Sequence, residues 1–400
     1  MNIAIAHDYL TQCGGAERVV ASMHELYPDA PIYTSVYNRN KTLPCFRDAE
    51  IRTSFLQSWP LIASHLDKFA FAAYPVAFEQ FDFSEFDVVL SSSSSFAKGI
   101  ITGPDTTHIC YCHTPARFAW RPHGYLTNSI AYRLLGPVLR GMLHSLRIWD
   151  AQSASRVDFF IANSHNVADR IRKYYRREVA AVIHPPVEIK RFSVAPKEEV
   201  GDHFLIVSRM LAYKRIDLAI HACNAIQAPL KIVGSGPELK SLKKIAGPTV
   251  EFAGKLSDAE VSFELARCKA LIMPGEEDFG ITPLEAMASG RPVAAFGAGG
   301  ALETVVDGRT GVFFTNPTYE CLALALKEIS LIEFEPEMLR QHAEKFDTRI
   351  FLERISNFVN VISEQRERHL LRRIRALHNA EERADFNFDT VPYYLGTGVK

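Results

Sequence analysis

Short apolar runs alternate with segments of helical periodicity along most of this chain, and the alternation occurs in two sets. Apolar runs of four or five residues followed by amphipathic helices are typical of a parallel sheet covered by helices on both faces. One set begins at Asn2–Ala6 and the other at Phe204–Val207. One hydrophobic core rarely supports more than about 250–300 residues, and this chain has 400. The sequence therefore predicts an α/β protein with two doubly wound, Rossmann-like domains and a cleft between them.

The apolar runs place the predicted strands, and the polar residues at their ends place the turns. The first set of predicted strands comprises Asn2–Ala6, Phe86–Leu90, His108–Cys112 and Phe159–Ala162. The second set comprises Phe204–Val207, Leu230–Val233, Val250–Ala253, Ala270–Met273 and Val293–Phe296. The serine run Ser91–Ser95 is predicted to follow a strand, whereas Ser164 is predicted to cap a helix that continues to about Tyr175.

Prolines and charged residues without periodicity separate the two sets, which predicts a linker. We assign residues 1–190 to the amino-terminal domain, 191–200 to the linker and 201–346 to the carboxy-terminal domain. Residues 347–378 are predicted to form an amphipathic helix, which we expect to pack back on the amino-terminal domain. Its apolar stripe consists of Phe351, Ile355, Phe358 and Ile362. Residues 379–400 are predicted to be a poorly ordered tail.

The charge balance and the amino terminus exclude several classes of protein. With 45 Lys and Arg against 46 Asp and Glu, the formal net charge is −1, which argues against a dedicated nucleic-acid binder. The start of the chain lacks the basic region of a signal peptide. The longest apolar stretch of the whole chain, Phe69–Phe78, is too short to span a bilayer. We therefore expect a cytoplasmic protein. Seven cysteines without regular spacing argue against a disulfide framework.

The most informative segment follows a predicted strand and has the sequence GEEDFGITPLEAMASGRP, residues 275–292. Its first part, residues 275–282, is predicted to be a loop, and Pro283 is predicted to open a helix. The backbone N–H groups that would then face the cleft are those of Gly280, Ile281 and Thr282. Because the amino terminus of a helix carries about half a positive charge, this segment predicts a phosphate-binding site.

Two carboxylates, Glu277 and Glu285, bracket that anion site. A carboxylate only accepts hydrogen bonds, so the hydroxyls of a sugar are its natural partners. With part of the span in a loop and part in a helix, the pair is spaced to hold two ends of one elongated ligand. The alternative is that Glu277 is a solvated loop residue and Glu285 is a carboxylate on the helix surface.

Together these features resemble the signature of family 4 of the retaining glycosyltransferases, enzymes of the GT-B fold that transfer a sugar from a nucleotide to an acceptor. The family pattern places seven residues between two glutamates, as between Glu277 and Glu285 here. The resemblance covers nearly the whole chain. It also rests on residues 14–18 (GGAER), Ser208-Arg209 with Lys214, residues 234–238 (GSGPE), and Gly299-Gly300 with Glu303 and Gly311. The segment GEEDFGI is most similar to that of bacterial polysaccharide-assembly mannosyltransferases and their relatives.

The resemblance implies a role for each matched residue. Glu285 would bind the ribose hydroxyls of the donor, and Glu277 would bind the hydroxyls of its sugar. Arg209 and Lys214 would neutralise the diphosphate, since a guanidinium at the end of a strand can bind phosphate oxygens bidentately. The other implied donor contacts are Gly14 and Gly15 at the first turn, and Lys255 and Leu256 where relatives hold the base. The alternatives are surface salt bridges for Arg209 and Lys214 and a simple turn at the glycines.

His113 follows the predicted strand that contains Cys110 and Cys112. A Cys-x-Cys-His run allows a zinc hypothesis, but no second Cys/His pair follows at ligand spacing, so no metal site is predicted. A buried structural histidine is the other alternative. In the family a histidine at this place contacts the donor sugar near the reacting carbon, and this is the role that the resemblance implies for His113.

A retaining transfer can use a carboxylate nucleophile, but the sequence of the amino-terminal half offers no clear candidate. The resemblance implies instead that the acceptor hydroxyl attacks from the face that the diphosphate leaves. The helix dipole, Arg209 and Lys214 would stabilise the leaving group. No Asp-x-Asp motif is present, so neither a divalent ion nor another cofactor is expected.

The amino-terminal domain is expected to bind the acceptor. Residues 114–177 contain eleven Lys and Arg against three Asp, so their net charge is 11 − 3 = +8. Residues 55–83 are rich in aromatic side chains, namely Trp59, Phe69, Phe71, Tyr74, Phe78 and Phe81. A basic face beside exposed apolar groups suits an anionic membrane surface or a lipid-diphosphate acceptor. The alternative is a solvated basic helix and an ordinary core.

The sequence thus predicts a retaining, metal-independent glycosyltransferase of polysaccharide assembly. The first candidate donor is GDP-mannose and the second is UDP-glucose, with a lipid-linked or oligosaccharide acceptor. The protein would be cytoplasmic, with a peripheral position on the inner face of the plasma membrane as an option. Two rival hypotheses are a nucleotide-sugar 2-epimerase of the same architecture, which would need further carboxylates in the cleft, and a non-catalytic nucleotide-sugar-binding subunit.

Overall fold

The structure is a computed structural model that describes residues 1–59, 73–121 and 130–384. The described residues fall into two compact units, one from Met1 to Leu352 and one that begins at Glu353. The first unit contains two sheets. The second contains the greater part of the last helix.

Seven parallel strands form the first sheet, in the order β3-β2-β1-β4-β5-β6-β7. Their bounds are β1 Ile3–His7, β2 Ile32–Thr34, β3 Ile51–Thr53, β4 Val88–Ser93, β5 Thr107–Cys112, β6 Phe159–Ala162 and β7 Val179–Val182. The helices of this domain are α1 Gly15–Leu26, α2 Tyr74–Glu79, α3 Arg117–Trp120, α4 Ile130–Ser153 and α5 His165–Tyr175. The fold therefore begins as a doubly wound sheet, in agreement with the repeated alternation in the sequence.

Six parallel strands form the second sheet, in the order β10-β9-β8-β11-β12-β13. Their bounds are β8 Phe204–Val207, β9 Leu230–Val233, β10 Val250–Gly254, β11 Ala270–Met273, β12 Val293–Phe296 and β13 Gly311–Phe314. The helices are α6 Ile216–Ile226, α7 Leu239–Ile245, α8 Asp258–Arg267, α9 Ile281–Ala288, α10 Ala301–Thr304, α11 Tyr319–Ile329, α12 Pro336–Glu344 and α13 Thr348–Ala384. The predicted fold class, two Rossmann-like domains, is confirmed.

In each sheet the strand order reverses at one place, between β1 and β4 in the first and between β8 and β11 in the second. Ligands of such sheets bind beyond the carboxyl ends of the strands at this reversal. The residues that end these four strands are His7, Ser93, Val207 and Met273. A ligand is therefore expected to bind at the segments that follow these four strands.

Each sheet is covered by apolar side chains on both faces. One core of the second domain packs Ile206, Ile232 and Ile272 under α6 and α11, and the other packs Leu205 and Leu271 under α9 and α12. In the first domain Cys110 and Cys112 face one core, which they share with α5. This placement agrees with the predicted alternation along β5 and makes both cysteines part of the packing.

Several element boundaries differ from the prediction. Strand β4 continues through Ser93, because the hydroxyls of Ser91 and Ser92 bond to histidines instead of turning the chain. Helix α9 begins at Ile281, two positions before Pro283, so Ile281 and Thr282 belong to its first turn and not to a loop. Helix α13 continues past residue 378 to Ala384, since residues 379–384 contain good helix formers and no Gly or Pro.

The end of the amino-terminal domain and the start of the last helix lie next to each other within the first unit. Val187 and Asp347 form an isolated parallel bridge, and the ring of Phe351 lies 5.6 Å from that of Tyr111. The predicted cap of α5 is confirmed, because Ser164 Oγ accepts a hydrogen bond from the amide of Val167 at 3.1 Å. That the whole of α13 packs on the amino-terminal domain stays a prediction. Of the predicted tail 379–400, residues 379–384 belong to α13, and residues 385–400 lie outside the described residues.

Among the described residues no helix combines the length and the apolar composition that crossing a bilayer requires.

Candidate active site

A cleft of 1020 Å³ lies beyond the carboxyl ends of the strands in both sheets. It is lined from the first domain by the loop that follows β1 and from the second by the segments that follow β8 and β11. The predicted site residues on its wall are Gly14, Gly15, His113, Arg209, Lys214, Lys255, Glu277, Gly280, Ile281 and Thr282. The structure thus brings together residues that are far apart in the chain, such as Gly14 and Thr282.

The amino terminus of α9 opens onto this cleft. Gly280 precedes the helix with φ +90°, a backbone conformation that only glycine adopts without strain, and it turns the chain from β11 into α9. The amides of the first turn have no acceptor within the helix, so Ile281 and Thr282 present donors to the cleft. With the helix dipole this terminus suits a phosphate group.

The loop between β1 and α1 approaches this terminus closely. A Cβ atom on Gly15 would lie 3.0 Å from Cδ1 of Ile281, so a larger residue would push the two walls apart. Gly14 precedes α1, and a Cβ there would lie 2.7 Å from Glu17 Oε2. Gly15 thus lies where the two domains approach each other at the cleft, and the implied donor contacts of Gly14 and Gly15 stay predictions.

The predicted cations and the first predicted carboxylate lie near one another. Lys214 Nζ donates to Glu277 Oε1, and both side chains are largely buried. Arg209 Nη1 donates to Gln12 Oε1 of the other domain at 3.4 Å. The backbone of Glu277 is fixed as well, because its carbonyl accepts the amide of Gly300 at 2.9 Å. Lys214 and Glu277 thus form a contact pair on the cleft wall, and Arg209 contacts the opposite domain across it.

Glu285 lies in a separate group of charges. Burial raises the pKa of its carboxyl, although Arg191 and Arg18 lower it in part. Arg18 also donates to Asp258 Oδ2 at 2.6 Å, and Arg191 lies 3.4 Å from the same oxygen. Glu285 and this group of charges are not on the cleft wall. Leu256 packs against the core of the second domain and is not on the cleft wall.

Three arginines of the first domain bind the acidic residues on either side of Glu277. Arg117 Nη2 lies 2.5 Å from Asp278 Oδ2, and Arg121 Nη1 lies 3.0 Å from Glu276 Oε2. Arg170 contacts both, at 2.6 Å from Glu276 Oε1 and by a further hydrogen bond to Asp278 Oδ1. These five residues, hereafter the arginine cluster, connect the two domains across the cleft.

This contact changes the interpretation of the basic segment 114–177. Part of its charge neutralises the other domain through the arginine cluster, and further arginines are used inside the first domain. Arg156 binds Glu79 at 2.7 Å, and Arg177 donates to the carbonyl of Val157 at 2.5 Å. The expectation that the whole segment forms one basic face toward a partner is therefore wrong. Arg140 and Lys173 remain exposed.

The aromatic segment 55–83 is likewise mostly core where the structure describes it. Tyr74 and Phe78 are buried, and Phe81 is partly buried against them. They pack here because α2 lies directly over the first sheet, so the expectation of exposed rings is wrong for these residues. Trp59 is 45% exposed. Phe69 and Phe71 lie outside the described residues.

His113 is buried at the cleft wall and bonded to a serine. Its Nε2 lies 2.7 Å from Ser92 Oγ, and its amide donates to the carbonyl of Ser93 at 2.8 Å. Burial and the neighbouring charge of His7 lower the pKa of His113 to about 3. The imidazole is therefore neutral at physiological pH and is available to a ligand as a hydrogen-bonding group.

Residues that the sequence did not indicate surround His113. His7 Nδ1 lies 3.2 Å from Ser92 Oγ, and His7 Nε2 lies 3.9 Å from Glu17 Oε1. Asp8 accepts the amides of Ser94, Phe96 and Ala97 at 2.6–2.8 Å, which fixes the loop after β4. The polar pair His7-Asp8 at the end of an apolar strand was the available signal for these residues. It did not identify their partners, because Ser92 and Ser94 are more than 80 positions away in the chain.

No group of three or more His, Cys, Asp or Glu among the described residues is arranged to hold a metal ion. The zinc hypothesis for His113 also lacks its sulfur ligands, because Cys110 and Cys112 are buried in the core and their thiol pKa values are raised by burial.

Two family models match consecutive parts of the chain. Residues 13–191 match the model described as Glycosyltransferase Family 4. Residues 188–346 match the model described as Glycosyl transferases group 1. Together they cover both domains.

Among curated proteins, the chain is similar to alpha-1,3/1,6-mannosyltransferases. It is 25% identical to alg2 of Schizosaccharomyces pombe over an alignment 453 positions long. The alignment covers 94% of this chain and 84% of that protein. A segment of 95 residues, 23% of this chain and 22% of the relative, is 44% identical to ALG2 of Dictyostelium discoideum.

A third relative is the GDP-mannose-dependent alpha-(1-6)-phosphatidylinositol monomannoside mannosyltransferase of Mycolicibacterium smegmatis. It is 28% identical over 206 residues, 42% of this chain and 54% of the relative. Of these three proteins, the Dictyostelium and Mycolicibacterium relatives are matched over less than two thirds of their own length.

Among solved structures, Anabaena HepE in complex with UDP has a similar fold. The TM-score is 0.67 at 19% identity, and the match covers 90% of this chain and 100% of that chain. This likeness supports the arrangement of two Rossmann-like domains described above.

Proposed function

This chain belongs to family 4 of the glycosyltransferases, which have the GT-B fold, and from that premise we propose that it is a retaining hexosyltransferase. It transfers a hexosyl group from a nucleotide diphosphate sugar to a lipid-linked or oligosaccharide acceptor in polysaccharide biosynthesis. The donor is bound by the second domain and the acceptor by the first.

One observation carries this proposal. The first-turn amides of α9, the cations Arg209 and Lys214, and the carboxylate of Glu277 converge on one cleft at the strand-order reversal of both sheets. An anion site next to a hydroxyl-binding carboxylate fits a sugar joined to a diphosphate. A ligand that carries only one of these groups would leave half of the site unused.

GDP-mannose is the first candidate donor. Its support is that the Schizosaccharomyces relative is a mannosyltransferase by name and the Mycolicibacterium relative is named as GDP-mannose-dependent. UDP-glucose is the second candidate. In either case we expect Glu285 to bind the ribose, because a carboxylate accepts hydrogen bonds from its hydroxyls.

In the proposed mechanism the protein stabilises the leaving diphosphate. As the bond from the anomeric carbon to the phosphate oxygen breaks, negative charge grows on the diphosphate, and the α9 terminus with Arg209 and Lys214 compensates it. These are charges that the chain itself supplies, so we propose that transfer needs no divalent ion. Lys214 turns from Glu277 to the phosphate, and Glu277 then accepts from the sugar hydroxyls.

The acceptor attacks from the face that the diphosphate leaves, which retains the anomeric configuration. The bond between the acceptor oxygen and the anomeric carbon forms while the acceptor proton passes to the departing phosphate oxygen. His113 lies at the cleft wall as a neutral imidazole and donates a hydrogen bond to the sugar. It therefore helps to position the sugar without taking part in the proton transfer.

We also propose that the acceptor is presented at a membrane surface, with the protein on its cytoplasmic side. The exposed residues Val138, Arg140 and Ile148 lie on α4, and Lys173 lies on the neighbouring α5. Exposed apolar and basic groups on neighbouring helices suit a surface of anionic lipids. This region is smaller than the basic segment as a whole, because the arginine cluster takes up part of its charge.

The test is a thermal-shift panel of GDP-, UDP- and ADP-sugars, followed by transfer to a lipid-linked acceptor. A ligand at 100 times its Kd stabilises the folded state by about 2.7 kcal/mol. We expect the largest shift with GDP-mannose and a product whose anomeric configuration, measured by NMR, equals that of the donor.

The matched variants are Lys214→Ala, which should abolish most of the shift, and Lys240→Ala, an exposed lysine of the same domain that should not. Release of free nucleotide without acceptor would indicate the epimerase instead. Binding without any turnover would indicate the non-catalytic subunit.

A further inference from the structure

A chain of buried polar groups connects to His113, and two of its members, His7 and Glu17, also line the cleft. It consists of Glu17 on α1, His7 at the end of β1 and Ser92 on β4. His7 and Glu17 are each 1% exposed and Ser92 is 0% exposed. Burying a polar group costs free energy unless the group is hydrogen-bonded, so buried polar side chains next to a ligand-binding residue are often functional.

The proton positions follow from the partners. His7 Nδ1 lies 3.0 Å from the carbonyl oxygen of Ser92, and a carbonyl can only accept, so His7 Nδ1 carries a hydrogen. The same N–H lies 3.2 Å from Ser92 Oγ. Ser92 Oγ therefore receives a hydrogen from His7 on one side, and its own hydrogen remains to be placed.

Within the described residues, the other recorded partner of Ser92 Oγ is His113 Nε2 at 2.7 Å. If His113 Nε2 carried a hydrogen, two donors would point at one hydroxyl whose own hydrogen would have no acceptor. Ser92 therefore donates to Nε2 of His113. A neutral imidazole with an accepting Nε2 has its hydrogen on Nδ1, which is the nitrogen left for a ligand on the cleft side.

Glu17 determines the state of His7. Burial lowers the pKa of His7, but the carboxylate of Glu17 outweighs burial and the net direction is upward. Burial raises the pKa of Glu17, but His7 lowers it by more, so each partner favours the charged form of the other. The N–H toward Ser92 itself follows from the contact of His7 Nδ1 with the carbonyl oxygen of Ser92. Gln12 Nε2 donates to Glu17 Oε1 at 2.9 Å and holds that carboxylate.

We propose that Glu17, His7 and Ser92 are positioning residues that hold His113 as its Nδ1–H tautomer, so that this nitrogen donates to a hydroxyl of the donor sugar. The proposal rests on the proposed function, because it supplies the sugar. It gives His113 a defined direction of hydrogen bonding. It also keeps the ring neutral beside an anomeric carbon that becomes positively charged during transfer.

The strand of serines supplies a matched control. Ser91 Oγ lies 2.8 Å from Nε2 of His108, the same kind of contact one position earlier on β4. His108 is buried and is not on the cleft wall. Ser92→Ala and Ser91→Ala therefore remove the same hydrogen bond to two histidines, of which His113 alone faces the ligand.

The first measurement is the ¹⁵N spectrum of histidine-labelled wild-type protein at pH 7, with the His113 signals assigned by a His113→Asn variant. We expect a protonated Nδ1 and an unprotonated Nε2 for His113 and two protonated nitrogens for His7. In Glu17→Gln the His7 signals should change to those of a neutral ring. A protonated Nε2 on His113 in the wild type would overturn the proposal, whether or not the protein transfers any sugar.

The second measurement is steady-state kinetics. Ser92→Ala should lower kcat by about 10–100-fold, the size of effect seen when the partner that orients a metal-bound histidine is removed. The KM for the donor should change by less than threefold, and Ser92→Thr, which keeps the hydroxyl, should recover most of the rate. Ser91→Ala should stay within twofold of wild type. Equal loss in the two alanine variants would show a structural role and refute the positioning role.

If no donor is turned over by the wild type, the proposed function fails, and the ¹⁵N spectrum still decides the tautomer. If Ser92→Ala does not fold, the wild-type and Glu17→Gln spectra decide it. Failure of the proposed function and failure of this inference are thus separate results.

Discussion

Glu277 is fixed at both its backbone and its side chain. Its carbonyl accepts the amide of Gly300, its backbone pairs with Gly299, and its carboxylate accepts from Lys214. A carboxylate held this way loses little conformational entropy when a ligand arrives. Glu285, on α9, lies near Arg191 and Arg18, which lower in part the pKa that burial raises. The two glutamates of the sequence pattern therefore differ in their surroundings and, by our proposal, in task.

The two glutamates should give different kinetic results when each is replaced by alanine. Glu277→Ala should lower kcat by about 100-fold or more, because the lost contact acts on the transferring sugar. Glu285→Ala should raise the Kd of the nucleotide by about tenfold to 100-fold, since a hydrogen bond to a charged group contributes about 1.5–3 kcal/mol. Calorimetric titration of the nucleotide and steady-state transfer rates separate the two effects.

Glu328→Ala serves as the control, because this glutamate is exposed on α11 of the same domain. Its rate and affinity should equal those of the wild type. If both glutamate variants bind and turn over normally, the assignment of the donor site is wrong.

At the scale of single residues, the sequence predicted which side chains meet at the cleft better than how they are held. Arg209, Lys214 and His113 line the cleft as expected. Arg209 and His113 follow the ends of predicted strands, and Lys214 lies in the segment after the strand that Arg209 follows. His7 and Ser92 were missed because their contacts connect strands that are adjacent in the sheet but 85 positions apart in the chain.

The strands were predictable from the sequence where they are apolar and buried. Strands β6, β8, β9, β11 and β12 have the predicted bounds. Four strands were missed, namely β2, β3, β7 and β13. Two of these have only three residues, β7 is only partly buried, and β13 begins with glycine. Such segments become strands because a neighbouring strand supplies hydrogen bonds and not because of their own composition.

The entry into α9 can be tested by substituting its preceding glycine. Gly280→Ala should destabilise the fold by about 1–2 kcal/mol, because alanine is strained at positive φ. It should also weaken nucleotide binding, because the altered turn moves the first-turn amides. Thermal unfolding with and without nucleotide measures both effects.

Gly308→Ala is the matched control, with φ +68° and no heavy atom within 4 Å of the added Cβ. It should lose similar stability and keep the nucleotide-induced shift. An unchanged shift in Gly280→Ala as well would show that the α9 terminus does not bind the ligand.

At the scale of the whole molecule, two sets of charges connect the domains. One is the arginine cluster. The other is Glu303, which accepts the amides of His165 and Asn166 at 2.9 and 3.0 Å and lies 3.2 Å from His184 Nε2. Glu303 thus completes the amino terminus of α5, a helix of the first domain, from a position in the second.

The contact of Glu303 should depend on pH. Burial raises the pKa of its carboxyl, but His184 and the two amides lower it more, so the folded value lies below the ordinary 4.5. The stability that Glu303 contributes is therefore fully present above about pH 4.5 and is lost as the pH falls through the lower folded value. The difference in Tm between wild type and Glu303→Gln, measured from pH 7 to pH 3, should be constant at first and then shrink.

Glu333→Gln is the control, because Glu333 is 92% exposed. Its Tm should follow the wild type at every pH. A wild-type advantage over Glu303→Gln that grows as the solution becomes more acidic would contradict the assigned contact.

The two-domain architecture was predictable from the repeated alternation of strands and helices, whereas the way the domains are joined was not. The basic segment 114–177 looked like a surface for an external partner. Arg117 and Arg170 instead bind carboxylates more than one hundred positions away. Charge counted along a sequence shows its amount and sign, and the fold decides what neutralises it.

The arginine cluster makes each half of the molecule the counterion of the other. Residues 1–190 contain 19 Lys and Arg against 17 Asp and Glu, a net charge of +2, and residues 191–400 contain 26 against 29, a net charge of −3. The charges that neutralise one another across the domains are therefore the local ones of the arginine cluster. If the chain were divided at the linker 191–200, each half would expose unneutralised charge and would attract its complement at low ionic strength. Two separately expressed halves should therefore reassociate in dilute buffer and come apart in concentrated salt.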